Sequence, residues 1–171
     1  TAAGVKRVHP DNLVITYQGD GDLASIGTAE IIHAAGRGEK ITTIFINNGI
    51  YGMTGGQMAP TTLPGMKATT AKSGRDPKIN GNPIRMSEML ATMDGPVYIE
   101  RVSVSTPAQV TQAKRAIRKA LEIQKKGLGF TFIEVISTCP TNWGVTPVKA
   151  MEFVREKMIP YYPLGVYKDL T

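Results

Sequence analysis

The sequence predicts a single α/β domain, residues 1–171, in which helices cover both faces of a mostly parallel sheet to give three α/β/α layers. Four short apolar runs, at 12–17, 41–46, 97–102 and 130–136, are rich in β-branched and aromatic residues. Such near-continuous apolar runs are typical of strands that are buried on both faces. Helical patterns alternate with these runs, as expected when crossover helices connect parallel strands. A chain of 171 residues is also long enough to bury one hydrophobic core.

Glycine and proline indicate where the helices begin and end. The Ala- and Ile-rich segment Leu23–Gly36 predicts one helix that stops at Gly36. A capping residue followed by proline predicts three later helix starts, because proline suits the first helical position. These starts are Asn82-Pro83, Thr106-Pro107 and Thr146-Pro147. Between them, the 34 residues from Gly49 to Asn82 show no sustained period, which predicts a long functional loop with little order of its own.

Composition and charge argue against a membrane or nucleic-acid partner. The formal net charge is +6, and much of the excess comes from Lys114, Arg115, Arg118, Lys119, Lys125 and Lys126. Apolar residues at helical spacing lie between these cations, which predicts a solvated helix face. No aromatic residue is interleaved with them, so we expect no nucleic-acid partner. No apolar run approaches the ~20 residues that span a bilayer, and a single cysteine fits a reducing, cytoplasmic setting.

A glycine-rich turn follows the first predicted strand. It reads Gln18-Gly19-Asp20-Gly21-Asp22 and leads directly into a helix, where free N–H groups favour an anion. A Rossmann dinucleotide loop is one interpretation, with Ala24 at the position of the third glycine. However, two carboxylates beside a diphosphate would repel it unless a cation lies between them. A P-loop is excluded because no Gly-Lys-Ser/Thr follows.

A second polar motif, Asn47-Asn48-Gly49, follows the second predicted strand. Twenty-five residues separate Gly21 from Asn47, about the length of one helix and one returning parallel strand. Both motifs are therefore expected at the carboxyl ends of parallel strands, where α/β sheets bind ligands. The Asp20 carboxylate, the Asn48 amide oxygen, a backbone carbonyl just beyond it and two diphosphate oxygens would nearly complete a Mg²⁺ shell. The alternative for Asn47-Asn48-Gly49 is a simple tight turn.

These residues support a family resemblance that covers essentially the whole chain. Gly19-Asp20-Gly21 followed by Asn47-Asn48 resembles the thiamine diphosphate-binding motif. The stretch 49–62 is similar to the β subunit of 2-oxoacid:ferredoxin oxidoreductases of the 2-oxoglutarate or 2-ketoisovalerate type, and so are 139–144 and 161–165. The resemblance implies the thiamine diphosphate-binding fold.

The resemblance also implies a set of site residues. Asp20, Asn48 and the main-chain carbonyl of Ile50 match the Mg²⁺ ligands of the family. Gly21 and Asp22 match residues around the diphosphate and thiazolium, and Met53 matches an apolar residue against the thiazolium ring. Cys139 matches one ligand of a [4Fe–4S] cluster, although a single thiolate cannot hold a cluster.

The implied activity is the oxidative decarboxylation of a 2-oxoacid to acyl-CoA, with electrons passed to ferredoxin. The family's activating glutamate is expected on another subunit, and an N-terminal segment of such subunits has no counterpart in this sequence. We therefore expect a fragment of a longer subunit that is inactive alone. In the long loop, cations such as Arg75 would attract an anionic 2-oxoacid or coenzyme A, or simply keep the loop solvated, and Glu88 is interpreted as a helix-surface charge.

Two alternatives remain open from the sequence. One is the cofactor domain of a non-oxidative thiamine enzyme, of the decarboxylase or acetohydroxyacid synthase type. The other is a basic α/β module that binds a nucleotide or nucleic acid without chemistry.

Overall fold

The computed structural model describes all 171 residues and is built on a five-stranded central sheet with a separate two-stranded hairpin. The strands are β1 (Ile15–Gln18), β2 (Thr42–Asn47), β3 (Ile50–Tyr51), β4 (Gln57–Met58), β5 (Pro96–Ser103), β6 (Phe130–Ile136) and β7 (Gly165–Asp169). The helices are α1 (Ala2–Val8), α2 (Asp20–Ala24), α3 (Thr28–Gly36), α4 (Pro77–Asn80), α5 (Met86–Ala91), α6 (Pro107–Lys125), α7 (Pro140–Trp143), α8 (Pro147–Phe153) and α9 (Ile159–Tyr161), with a π-helical stretch Val154–Met158 between the last two.

The central sheet has the order β1-β2-β6-β5-β7. The first four of these strands are parallel and β7 is antiparallel to β5. Helices α2, α3 and α5 pack on one face, where Phe45 and Phe132 are fully buried. Helix α6 covers the other face and buries Ile133 and Val135. The predicted three-layer α/β/α fold with a mostly parallel sheet is confirmed.

The strand predictions differ in accuracy with position in the sheet. The run 130–136 coincides with β6 at the centre, and the runs at 41–46 and 97–102 fall within one residue of β2 and β5. The first run was wrong in its start and in its burial. β1 begins at Ile15, and Tyr17 is 72% exposed, because β1 is an edge strand of the sheet.

The single helix predicted over Leu23–Gly36 is wrong, since two helices occupy this region. Helix α2 starts at Asp20 with Gly19 as its N-cap, and Ser25 then leaves helical geometry with φ −123° and ψ −95°. At the break, a Cβ on Gly27 would lie 1.9 Å from the Asp22 carbonyl oxygen, so the chain folds back on itself there as only glycine permits. The break leaves the Gly-Asp-Gly motif on a short helix of its own.

Two of the three predicted helix starts are confirmed. Thr106 and Thr146 are N-caps whose hydroxyls accept backbone N–H bonds, and proline follows each of them. The prediction at Asn82 is wrong, because α5 begins only at Met86. The segment before α5 is held extended, in part by a hydrogen bond from the Ile84 N–H to the Pro60 carbonyl at 3.0 Å.

The long segment 49–82 is folded around one buried cation. The Arg75 guanidinium donates hydrogen bonds of 2.9–3.3 Å to six backbone carbonyls. These belong to Ala59, Pro60, Thr62, Asn80, Gly81 and Asn82. Arg75 is 6% exposed, so its interpretation as a solvated or ligand-attracting loop cation is wrong. The guanidinium cross-links residues 59–62 to residues 80–82, so this part of the segment has defined partners that the sequence did not predict.

We expect the amides held by this network to exchange slowly with solvent deuterium. Replacing Arg75 by Met leaves several carbonyls without a donor, and about 2 kcal/mol of lost local stability would speed exchange roughly 30-fold. Hydrogen exchange followed by mass spectrometry measures this, with Lys72→Met, an exposed cation of the same segment, as the control. Near-free exchange over 59–82 in the unmodified chain would contradict this prediction.

Candidate functional site

The two polar motifs meet at the carboxyl ends of β1 and β2. These strands are parallel neighbours, and the register pairs Gln18 with Phe45, so their ends lie side by side. The Asn48 N–H donates to Oδ2 of Asp20 at 3.1 Å and joins the two motifs directly. The spacing argument therefore predicted the correct juxtaposition.

A cleft of about 710 Å³ opens beside this junction. The residues predicted from the sequence that line it are Asp20, Gly21, Asp22, Asn48, Ile50, Met53 and Cys139. Their common location is a structural fact, whereas their roles toward a cofactor remain proposals. The cleft also has a third wall that the motif argument did not anticipate, formed by Thr141 and Asn142 of α7.

Asp20 is the buried carboxylate of the site. It is 2% exposed, and it accepts one hydrogen bond on each oxygen, from the Thr61 hydroxyl and from the Asn48 N–H. Burial raises the pKa of Asp20 to about 7, and the nearby Glu134 carboxylate adds to the rise, while the Thr61 and Asn48 bonds oppose it. Ionising a buried carboxyl group is costly, but a cation lying against it stabilises the ionised form.

The Asn47–Ile50 turn presents oxygen atoms near Asp20. Asn47 Oδ1 accepts the Gly49 N–H and Asn48 Oδ1 accepts the Ile50 N–H, both at 3.2 Å. Gly49 has φ +69°, a left-handed conformation that favours glycine. Asn47-Asn48-Gly49 therefore forms the tight turn that was the alternative to a metal site. The same turn also places Asn48 on the lining of the cleft. A carboxylate, an amide oxygen and a backbone carbonyl are a donor set that fits Mg²⁺.

Asp22 has a local structural role. Its carboxylate accepts the Gly19 N–H at 3.1 Å and so caps the start of α2. Gly21 faces the ring of Tyr51, which a Cβ on this glycine would contact at 3.6 Å. Asp20 is thus buried, whereas Asp22 is exposed and caps its own helix.

Apolar side chains at the cleft are exposed to solvent. Met53 is fully exposed and Ile26 is 85% exposed, although both line the cleft. Met53 lies on the cleft lining, and its contact with the thiazolium ring stays a prediction. Ile26 was missed because it lies at the break between α2 and α3, where the sequence predicted an uninterrupted helix.

Cys139 is the sole cysteine of the chain and lies half-buried at the back of the cleft. Its Sγ is 3.2 Å from Asn142 Nδ2, and a Cβ on Gly52 would approach it to 3.3 Å. No group of three or more His, Cys, Asp or Glu side chains is arranged to hold a metal. Any iron–sulfur cluster at Cys139 would need thiolates from outside these residues.

A buried ionic network behind the site was missed by sequence reasoning. Glu134 accepts hydrogen bonds from Asn47 Nδ2 at 2.8 Å and from Arg101 Nε at 2.9 Å. Arg101 is also paired with Glu88, so the interpretation of Glu88 as a helix-surface charge is wrong. No local pattern marks such a network, since its members come from β2, β5, β6 and α5.

Two predictions drawn from composition concern the cations of α6 and membrane spans. As predicted for a solvated face, five of the six cations are exposed, namely Lys114, Arg115, Arg118, Lys125 and Lys126. Lys119 is half-buried and pairs with Asp169. None of the helices combines the length and the apolar character that crossing a bilayer demands.

Comparison with known proteins gives consistent results. Residues 1–135 match the family described as "Thiamine pyrophosphate enzyme, C-terminal TPP binding domain", thiamine pyrophosphate being another name for thiamine diphosphate. Ketoisovalerate oxidoreductase subunit VorA of Methanothermobacter thermautotrophicus is 51% identical over 97% of this chain, which spans 35% of that protein. 2-Oxoglutarate synthase subunit KorB of Methanocaldococcus jannaschii is 43% identical over 99% of this chain, which spans 59% of it.

A solved structure is similar over nearly the whole chain. It is 2-oxoglutarate:ferredoxin oxidoreductase from Magnetococcus marinus with 2-oxoglutarate, coenzyme A and succinyl-CoA bound. The TM-score is 0.80 at 26% sequence identity, over 99% of this chain and 61% of that one. The chain thus spans between about a third and three fifths of the length of these relatives.

Proposed function

The chain belongs to the family of thiamine pyrophosphate-binding domains of thiamine pyrophosphate enzymes, and on this basis we propose that its cleft holds the magnesium diphosphate end of the cofactor. We further propose that it does so within a 2-oxoacid:ferredoxin oxidoreductase that converts a 2-oxoacid and coenzyme A to acyl-CoA. The observation that carries the proposal is the hydrogen bond between Asp20 and Asn48, which joins both cofactor motifs at one cleft.

Each site residue has a definite task in this proposal. Asp20 supplies the negative charge for Mg²⁺, and Asn48 and the Ile50 carbonyl supply neutral oxygens. Gly21 keeps the start of α2 free of a side chain, so that a diphosphate can approach the backbone there. Asp22 fixes the N-terminus of α2 through Gly19.

Thiamine diphosphate, when bound, supplies the carbanion chemistry for loss of CO₂ from a 2-oxoacid. The chain's own contribution is to anchor one end of the cofactor and to wall one side of its rings. The exposed side chains of Met53 and Ile26 favour an arrangement in which a second protein surface closes the cleft. Binding sites shared between domains or subunits are common.

The remaining components are proposed from the family resemblance and from the activities of the similar proteins. Another subunit would supply the activating glutamate, the intact β-type subunit would supply further cysteines, and a [4Fe–4S] cluster would pass electrons to ferredoxin. Cys139 is proposed as one cluster ligand only in such an assembly. The proposed substrate is a 2-oxoacid without further specification, since the two named relatives differ in their substrates. The proposed location is the cytoplasm, where reducing conditions keep cysteine thiols free.

We expect the chain to bind the cofactor but not to turn over a 2-oxoacid. Thermal-shift titration with thiamine diphosphate should raise the melting temperature only when Mg²⁺ is present. An assay of the same preparation with coenzyme A, several 2-oxoacids and an artificial electron acceptor should remain at background, because the activating glutamate is expected on another subunit and one cysteine cannot hold a cluster. Stabilisation by an oligonucleotide instead of the cofactor would overturn the proposed binding site, and turnover would overturn the need for a partner.

A further inference from the structure

The hydroxyls of two consecutive threonines contact the two cofactor motifs. Thr61 and Thr62 have no exposed surface. The Thr61 hydroxyl donates to Oδ1 of Asp20, while the other carboxylate oxygen receives the Asn48 N–H. Each oxygen of Asp20 therefore has one protein donor, which fixes the rotation of the carboxylate and leaves further lone pairs for a cation.

Thr62 acts on the other motif. Its hydroxyl donates to the Gly49 carbonyl at 2.5 Å and accepts the Ala59 N–H at 2.8 Å. The Gly49 carbonyl lies between Asn48 and Ile50, the two residues proposed to supply neutral oxygens. Thr62 thereby holds the turn that carries those oxygens, as Thr61 holds the carboxylate.

The backbone of this threonine pair is itself held firmly. Arg75 Nη1 donates to the carbonyls of Ala59, Pro60 and Thr62 at 2.9–3.1 Å. The Tyr162 hydroxyl donates to the Thr61 carbonyl at 2.7 Å, and Tyr162 has no exposed surface. The backbone carbonyls are thus used to fix the segment, and the two hydroxyls are directed at the motifs.

We propose that Thr61 and Thr62 are positioning residues that hold Asp20 and the Asn48–Ile50 turn in the geometry required for Mg²⁺, with Arg75 and Tyr162 fixing the pair. This inference rests on the proposed function. It gives the segment 49–82 a role at the metal end of the cleft, although Thr61 is 41 residues distant from Asp20 in sequence. Groups that orient metal ligands from behind alter metal affinity by roughly 10–100-fold when they are removed.

The decisive experiment separates the hydroxyl of Thr61 from its methyl group. Thr61→Val keeps a γ-methyl and loses the donor, whereas Thr61→Ser keeps the donor and loses the methyl. Thr69→Val is the matched control, since Thr69 is exposed in the same segment. Calorimetric titration of thiamine diphosphate with and without Mg²⁺, and Mn²⁺ titration followed by electron paramagnetic resonance, report the metal site independently of turnover. Thermal unfolding of each variant without metal reports stability.

We expect the metal affinity to follow the hydroxyl and the stability to follow the methyl group. Thr61→Val should weaken Mg²⁺-dependent binding of thiamine diphosphate and Mn²⁺ binding by roughly 10–100-fold. Thr61→Ser should bind both as the unmodified chain does, despite a lower melting temperature from the lost methyl. Thr62→Val and Thr62→Ser should differ in the same direction, since Thr62 holds the Gly49 carbonyl by the same kind of bond.

Four results would count against the inference. Equal metal affinity in Thr61→Val and Thr69→Val would refute it, and so would equal losses in Thr61→Val and Thr61→Ser, which indicate a role in packing only. If the unmodified chain shows no Mg²⁺-dependent binding of thiamine diphosphate, the proposed function fails first and the inference fails with it. Binding in the unmodified chain that Thr61→Val leaves intact would refute the inference alone.

Discussion

Asp20→Asn is expected to abolish the Mg²⁺-dependent part of thiamine diphosphate binding. Asp20 is the one carboxylate proposed as a direct ligand, so the loss should exceed the roughly 10–100-fold effect of removing an outer partner. The variant should still fold, because burial already raises the pKa of Asp20 to about 7 and a neutral amide avoids the cost of a buried charge. Calorimetric titration of the cofactor with and without Mg²⁺ measures the effect.

The matched control for this prediction is Asp11→Asn. Asp11 is exposed and lies outside the cleft, so its loss changes the net charge equally without touching the site. Weak residual binding that no longer responds to Mg²⁺ is the expected result for Asp20→Asn. Unchanged Mg²⁺ dependence in that variant would refute the assignment of Asp20 as a metal ligand.

Arg101→Met is expected to destabilise the fold more than Asp20→Asn or Arg75→Met does. Arg101 and Glu134 are both 0% exposed, and their hydrogen bond is 2.9 Å long. Removing one partner of a buried pair leaves an uncompensated charge, which costs about 3–5 kcal/mol or about 6–20 °C in melting temperature for a domain of this size. Chemical and thermal unfolding measure this loss.

Two further variants make the Arg101 prediction specific. Arg115→Met removes an exposed arginine of α6 and should change stability by no more than about 0.5 kcal/mol. Adding Glu134→Gln to Arg101→Met should recover part of the loss, since it neutralises the charge left unpaired. If Arg101→Met and Arg115→Met proved equally stable, the network would make no measurable contribution to the stability of the fold.

This network also reaches the candidate site. Glu134 accepts the hydrogen bond of Asn47 Nδ2, and Asn47 in turn accepts the Gly49 N–H. The buried ionic network and the threonine pair thus hold the same turn from two directions. The Asn47–Ile50 turn, which is proposed to hold Mg²⁺, therefore has buried hydrogen-bond partners on both sides.

The sequence by itself determined the features that depend on neighbours in the chain. Thr106 and Thr146 with their prolines mark helix starts, and the run 130–136 marks the central strand, because capping and burial on both faces leave local patterns. The spacing between the Gly-Asp-Gly and Asn-Asn motifs also sufficed to bring them together, since one helix and one parallel strand fix the return of the chain.

Tertiary structure alone decided the features that depend on residues far apart in the chain. Arg75 looked like a solvated loop cation and Glu88 like a surface charge, yet both are held by distant partners. The break at Gly27 followed from a close approach of backbone that no helix propensity encodes. Thr61 lies within the stretch 49–62 that carries the family resemblance, but its contact with Asp20 was not predicted, because only the fold brings that carboxylate to its hydroxyl.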